Sequence, residues 1–162
     1  MKIRYIALHV NSDSEIDTKF ALKFNLTNRF ISNFLSREIR KYNLESSDSF
    51  NMISIVPSLG KVKIKDNLSN SVLQGYVPFD IDYYENNKGI VRYEYALNLL
   101  EEGYYLCNRF REIPLHELIM LNNDFRNIGY KNEWLYKKKK SKEHNIEVNL
   151  KCIFDEEEFK LE

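Results

Sequence analysis

The sequence predicts an α+β fold: a mainly antiparallel sheet with about three helices packed on it, closed by a C-terminal β-hairpin. Three observations predict it. Several short stretches alternate apolar and polar residues at period two. Three longer stretches instead repeat apolar residues at spacings of three and four. The alternating stretches are joined mostly by short polar turns, which suit hairpins better than long crossovers. With 162 residues, five Gly and three Pro, the chain has the length of one ordinary domain and enough apolar residues for a core of its own. Residues 1–162 therefore read as a single globular domain.

Taken in order, residues 2–10 (KIRYIALHV) alternate and carry β-branched and aromatic side chains, so a strand is expected. Residues 18–26 (TKFALKFNL) place Phe20, Leu22, Phe24 and Leu26 on one face at period two, which predicts a second strand. Thr27 can then cap a helix whose apolar line is Phe30, Ile31, Phe34, Leu35, Ile39 and Tyr42. Its opposite face carries Arg29, Asn33, Arg37, Arg40 and Lys41 and is expected in solvent. Residues 50–57, 61–66 and 72–85 read as extended, with Pro78 favouring an edge or a bulge.

From Ile90 to Arg111 the period is helical again. Leu97, Leu100, Tyr104 and Cys107 form one stripe, and Ala96, Leu99, Gly103, Leu106 and Phe110 the next. Such a wide apolar face suits a helix lying deep against a sheet. Pro114 fits the first position of a third helix, Leu118, Leu121, Phe125 and Ile128 its buried line, and Gly129 its C′ position. Residues 134–140 and 146–154 make the closing hairpin, with SKEHN as the turn.

Lys plus Arg equal Asp plus Glu at 24 each. A dedicated nucleic-acid binder usually carries a basic surplus, so nucleic acid is an unfavoured partner. No stretch approaches the roughly 18 apolar residues of a membrane span, and the N-terminus lacks a signal-peptide pattern. A cytoplasmic protein is expected, with Cys107 and Cys152 as buried thiols.

Motifs of catalysis are not found. His116-Glu117 begins a zinc-protease pattern, but Met120 stands where the second His belongs. His9 and His144 show no metal spacing, and Cys107 has no local base to activate it. No enzyme activity, metal or cofactor is therefore expected. The best candidate site is FDIDYYE, where Asp80, Asp82, Tyr83, Tyr84 and Glu85 stand together. On a strand, Asp80 and Asp82 would point to one side. The ordinary reading is a solvated strand face. The functional one is an acidic, tyrosine-rich patch that docks a basic protein, since Tyr is enriched in interface cores.

From Tyr93 to Leu161, a Tyr- and Leu-rich helix leads through IPLHELIMLNNDFRNIGYKNEWLYKKK to a long closing strand. This block resembles small bacterial immunity proteins encoded beside polymorphic toxins of contact-dependent competition systems. The resemblance implies a protein that binds a cognate toxin and covers its active site or substrate surface. It also implies that Asp80, Asp82, Tyr83, Tyr84 and Glu85 face the basic cleft of a nuclease-like toxin. A second function class remains, a nucleic-acid-associated regulatory or accessory protein using the basic face of the first helix and Lys137–Lys140.

The lysine run carries a geometric expectation. A hairpin turning near residues 142–143 sets Lys138 opposite Glu147, Lys140 opposite Asn145, and Asp155 opposite Tyr130. The lysines and the acidic run 155–158 should therefore not neutralise each other, and Glu147 is the one good cross-strand partner. Lysines on both faces of one strand require a hairpin end that projects into water.

Overall fold

The computed structural model describes residues 1–47, 49–67 and 71–162. Its elements are β1 (Tyr5–Leu8), α1 (Thr18–Tyr42), β2 (Met52–Ser58), β3 (Lys63–Asn67), β4 (Val72–Pro78), α2 (Ile81–Asn86), α3 (Ile90–Asn108), α4 (Leu115–Asn127), β5 (Asn132–Ser141), β6 (Ile146–Phe154) and β7 (Phe159–Leu161). The fold is α+β, with two sheets instead of one. The first has the order β1-β2-β4-β3 and the second β5-β6-β7.

The first sheet is mixed, which corrects the expectation of a mainly antiparallel one. β1, β2 and β4 run parallel, and only β3 is antiparallel to its neighbour. The cause lies in residues 18–26, which are helical and not a strand. Asp17, not Thr27, caps the helix, its carboxylate accepting from the Phe20 N–H at 3.0 Å. Phe20 and Phe24 satisfy both periods, but only the helical phase continues through Asn28, Ile31 and Leu35. Leu22 and Leu26, which the strand reading turned inward, are 60% and 48% exposed. The resulting helix of 25 residues is long enough to carry the chain from the end of β1 back to the start of a parallel β2. β2 is correspondingly buried from Ile53 through Ser58, as a central parallel strand should be.

α1 also closes an edge. Among the described residues β1 has β2 on one side only, and its outer backbone groups meet side chains of α1. Ser36 Oγ accepts from the Ile6 N–H and donates to the Ile6 carbonyl, each at 3.0 Å. Ser32 Oγ accepts from the Leu8 N–H at 3.0 Å. Asn25 Oδ1 accepts from the Val10 N–H at 2.8 Å, and its Nδ2 donates to the Val10 carbonyl at 2.9 Å. Three polar side chains at helical spacing thus stand in for a missing strand, which blunts the edge against foreign pairing. Asn25→Ala should cost about 1–3 kcal/mol, since it leaves a donor and an acceptor of Val10 unpaired. Urea unfolding of the variant checks this, and a loss below about 0.5 kcal/mol would show that water replaces Asn25 freely.

α3 packs on the sheet where two glycines allow close approach. A Cβ on Gly103 would stand 2.4 Å from Ile55 Cδ1, and one on Gly75 would stand 3.0 Å from Cys107 Sγ. Both cysteines are buried, and burial pushes the Cys107 thiol up to about 12. No helix among the described residues is long and apolar enough to cross a membrane.

The second sheet is an antiparallel hairpin plus a third strand that the sequence reading missed. Its root packs on α1 through side chains expected in solvent. Asn132 is 1% exposed; its Nδ2 donates to the Phe30 carbonyl at 2.8 Å and to Asn33 Oδ1 at 2.9 Å, and Arg37 Nη1 donates to Asn132 Oδ1 at 2.8 Å. The Arg37 guanidinium lies 4.5 Å from the Trp134 ring centre, and that of Arg29 lies 5.2 Å from the Phe154 ring. The basic side of α1 is thus partly roofed by aromatic side chains.

The hairpin tip projects as expected, with residues 135–140 and 142–149 exposed. Its register is shifted from expectation because the turn spans residues 142–145 and is centred one residue later, so Lys140 faces Glu147 and Lys138 faces Asn149; an irregularity between Leu135 and Lys137 then brings the root back by one. Glu147 still serves as the partner, paired with Lys138 and, at 3.0 Å, with Lys140. The acidic run stays apart. Asp155 accepts from the N–H groups of Glu157 and Glu158 to form the turn into β7, and Glu158 pairs with Lys160.

Candidate functional site

The stretch after β4 does not continue as a strand. Asp80 caps α2, its carboxylate accepting from the Tyr83 N–H at 2.9 Å. Asp80 and Asp82 therefore do not line one strand face; Asp80 sits before the helix and Asp82 in its first turn, where a negative charge complements the helix dipole.

Helical geometry also divides the two tyrosines. Tyr84 is 2% exposed and cannot be a surface contact, which corrects that assignment. Its ring sits among Phe20, Phe24 and Phe79, with centroids 5.0–6.0 Å away. Its hydroxyl accepts from Asn28 Nδ2 at 2.8 Å, and burial raises its pKa. Arg92 covers the outer face of the ring at 4.6 Å. Tyr84 is the anchor that seats α2. Tyr83 points the other way, is 46% exposed, and meets Tyr95 edge-on at 5.0 Å. Asp82 and Glu85 are exposed and make no ion pair among the described residues.

The structure adds α3 to this site. Tyr95 stacks on Phe79 at 5.9 Å and accepts from the Asp80 N–H at 2.8 Å, which locks the start of α2 to α3. Burial raises the Tyr95 pKa above its ordinary value. Asp80, Tyr83, Ile90, Val91, Glu94, Tyr95 and Asn98 line an open groove of about 470 Å³. Of these, Ile90 and Val91 are 61% and 46% exposed. Glu94 is held in place by Arg126 at 3.0 Å and by the Tyr130 hydroxyl, and Arg126 also binds Glu101 at 2.6 Å. The lining thus joins two exposed apolar side chains with two aromatic rings, and Asp82 and Glu85 lie on the adjoining α2.

Farther along the same helix, Val62, Val77, Glu102, Tyr105, Leu106 and Arg109 line a second groove of about 450 Å³. Val91, Asn98, Glu102 and Tyr105 follow one another along the solvent side of α3, so both grooves share one helix face. The signal available in sequence was an apolar residue, Val91, and an aromatic one, Tyr105, on the line otherwise marked by Glu94, Asn98 and Glu101. Neither groove is an enclosed cavity, and the arrangement suits docking of a surface better than enclosure of a small molecule. No family model, curated protein or solved structure matches this chain.

Proposed function

We propose that this chain is an inhibitor that neutralises a cognate bacterial toxin in the cytoplasm by binding it, as an immunity protein does. The observation that carries the reading is the α2–α3 face: exposed carboxylates beside Tyr83, Tyr95 and the exposed apolar side chains of Ile90 and Val91. Aromatic side chains with a polar tip and an apolar body are the usual anchors of protein interfaces. Carboxylates beside them would steer a basic cleft into register and speed association. The contact set is thereby Asp80, Asp82, Tyr83 and Glu85 with Tyr95, Ile90 and Val91, and Tyr84 acts from beneath. The nucleic-acid reading is less well supported, because Arg29, Arg37 and Arg40 rest on aromatic rings and Lys41, Lys138 and Lys140 are paired with glutamates.

The test begins with the neighbouring gene, which is expected to encode a large secreted protein; the C-terminal domain of that protein is then titrated against the purified chain, with protection of growth as the parallel readout. Tyr83→Ala should weaken binding by about 30-fold, the effect of an interface anchor worth about 2 kcal/mol. Asp82→Lys should slow association most at low salt. Asp80→Asn keeps the helix cap and isolates the charge. A wild-type chain that neither binds nor protects would overturn the function. Full affinity in both the Tyr83 and Asp82 variants would move the interface off this face.

A further inference from the structure

We propose that two copies of this chain pair edge to edge through β6, forming a two-fold dimer across residues Ile146–Leu150. The projecting hairpin has two free edges that are treated unequally. β5 carries Lys137 to Lys140 along its free edge, the usual guard against strand addition. β6 is covered by β7 only from Cys152 to Phe154, extended by the pair of bonds between Lys151 and Glu162 at 2.6 and 2.8 Å. Beyond Lys151, the sequence Ile146-Glu147-Val148-Asn149-Leu150 has no strand on its outer side among the described residues. It contains no lysine, and its one charge, Glu147, is already occupied by Lys138 and Lys140 of the same chain.

The Lys151 bonds fix which backbone groups are offered. Lys151 points its N–H and C=O outward, so by strand alternation Asn149 and Glu147 do too, while Ile146, Val148 and Leu150 point theirs toward β5. An antiparallel copy centred on Val148 then places Glu147 opposite Asn149 of the second copy in a hydrogen-bonded pair, twice over by symmetry. That makes four backbone hydrogen bonds. Val148 meets Val148 of the second copy in the closer, non-hydrogen-bonded position, and Ile146 meets Leu150. No like charges oppose each other. Ile146 and Val148 are 55% and 60% exposed in one copy, and pairing would join both apolar stripes into one patch. The window is bounded on both sides: Glu162 occupies the edge at Lys151, and Asn145 at φ 48° turns the chain away from the strand. The residues of the α2–α3 face take no part, so this inference stands apart from toxin binding.

Sedimentation velocity of the full chain over a concentration series tests it, alongside single-cysteine crosslinking under mild oxidation; both native cysteines are buried. The wild type should shift from monomer to dimer as concentration rises, and Val148→Lys should weaken self-association at least tenfold with an unchanged circular dichroism spectrum. Val148→Cys should form a covalent dimer, because a cross-strand pair lies within disulfide reach. Ile146→Cys should not, since its symmetry mate stands about 13 Å away along the strands. A wild type that stays monomeric throughout, or equal crosslinking at positions 146 and 148, overturns the proposal.

Discussion

Gly103→Ala is expected to destabilise the chain by about 2 kcal/mol, although alanine is the better helix former by about 1 kcal/mol. The added methyl would lie 2.4, 2.5 and 2.7 Å from Cδ1, Cγ2 and Cγ1 of Ile55. Two of these atoms are bonded directly to the Ile55 Cβ, so no rotation of a flexible end relieves the contact. Ile55 cannot retreat either, because β2 is the central strand of its sheet and Ile55 is fully buried. α3 must therefore lift off β2 and β4, loosening Gly75 against the Gly103 carbonyl as well. The discriminating experiment is a double-mutant cycle with Ile55→Ala. That change alone opens a cavity and should cost about 2–5 kcal/mol. Combined with Gly103→Ala, the new methyl enters the space vacated by Ile55, and the pair should cost at least about 1 kcal/mol less than the sum. Strict additivity within about 0.5 kcal/mol in urea unfolding would mean that the helix shifts without touching Ile55.

The same contact explains what the sequence discloses. Gly103 sat on an apolar stripe of a clearly periodic helix, so α3 and its buried face were legible; why a glycine stood there was not, because the reason lies on β2. β6 was legible from its pattern alone, since Ile146, Val148, Leu150, Cys152 and Phe154 recur at period two, although only its root, around Cys152, is buried. The first turns of α1 were not. Phe20 and Phe24 fit both periods, and the decision is made by Asp17 as a cap and by β1, whose outer edge needs Asn25, Ser32 and Ser36 at helical spacing. The expectation of a mainly antiparallel sheet, where β1 in fact pairs parallel with β2, followed from that one misreading. At the candidate site, Asp80, Asp82, Tyr83 and Glu85 were found as exposed residues but on the wrong scaffold. Tyr84 was assigned to the surface because strand alternation sends neighbouring tyrosines to opposite faces but does not say which of the two faces the core takes. Tyr95, Ile90 and Val91 were missed, since only the packing of α2 against α3 brings them beside Tyr83.

Phe24→Ala should cost about 3–5 kcal/mol and release α2 ahead of the rest of the fold. Phe24 is fully buried and touches both aromatic partners that hold α2 down, Phe79 at 5.3 Å and Tyr84 at 5.0 Å between ring centres. α2 has only six residues, far too few to persist as a helix without such packing. Its other ties include the Phe20 and Phe79 rings on Tyr84, the bond from Asn28 Nδ2 to the Tyr84 hydroxyl at 2.8 Å, the bond from the Asp80 N–H to Tyr95, and the bond from Arg92 Nε to the Tyr84 carbonyl at 3.2 Å. Phe125→Ala provides the control. Phe125 is equally buried, but it packs on Phe30, Phe34 and Tyr130, away from α2, and should cost a similar amount globally. Hydrogen exchange separates the two. In Phe24→Ala, the Tyr84 amide, bonded to the Asp80 carbonyl at 3.1 Å, should exchange faster than the global unfolding free energy allows. In Phe125→Ala it should slow or quicken only in step with global stability. Equal behaviour of that amide in both variants would show that α2 is not seated by the aromatic cluster. If the α2–α3 face binds a partner, Phe24→Ala should also weaken that binding without touching the partner, because ordering α2 then falls to the binding energy.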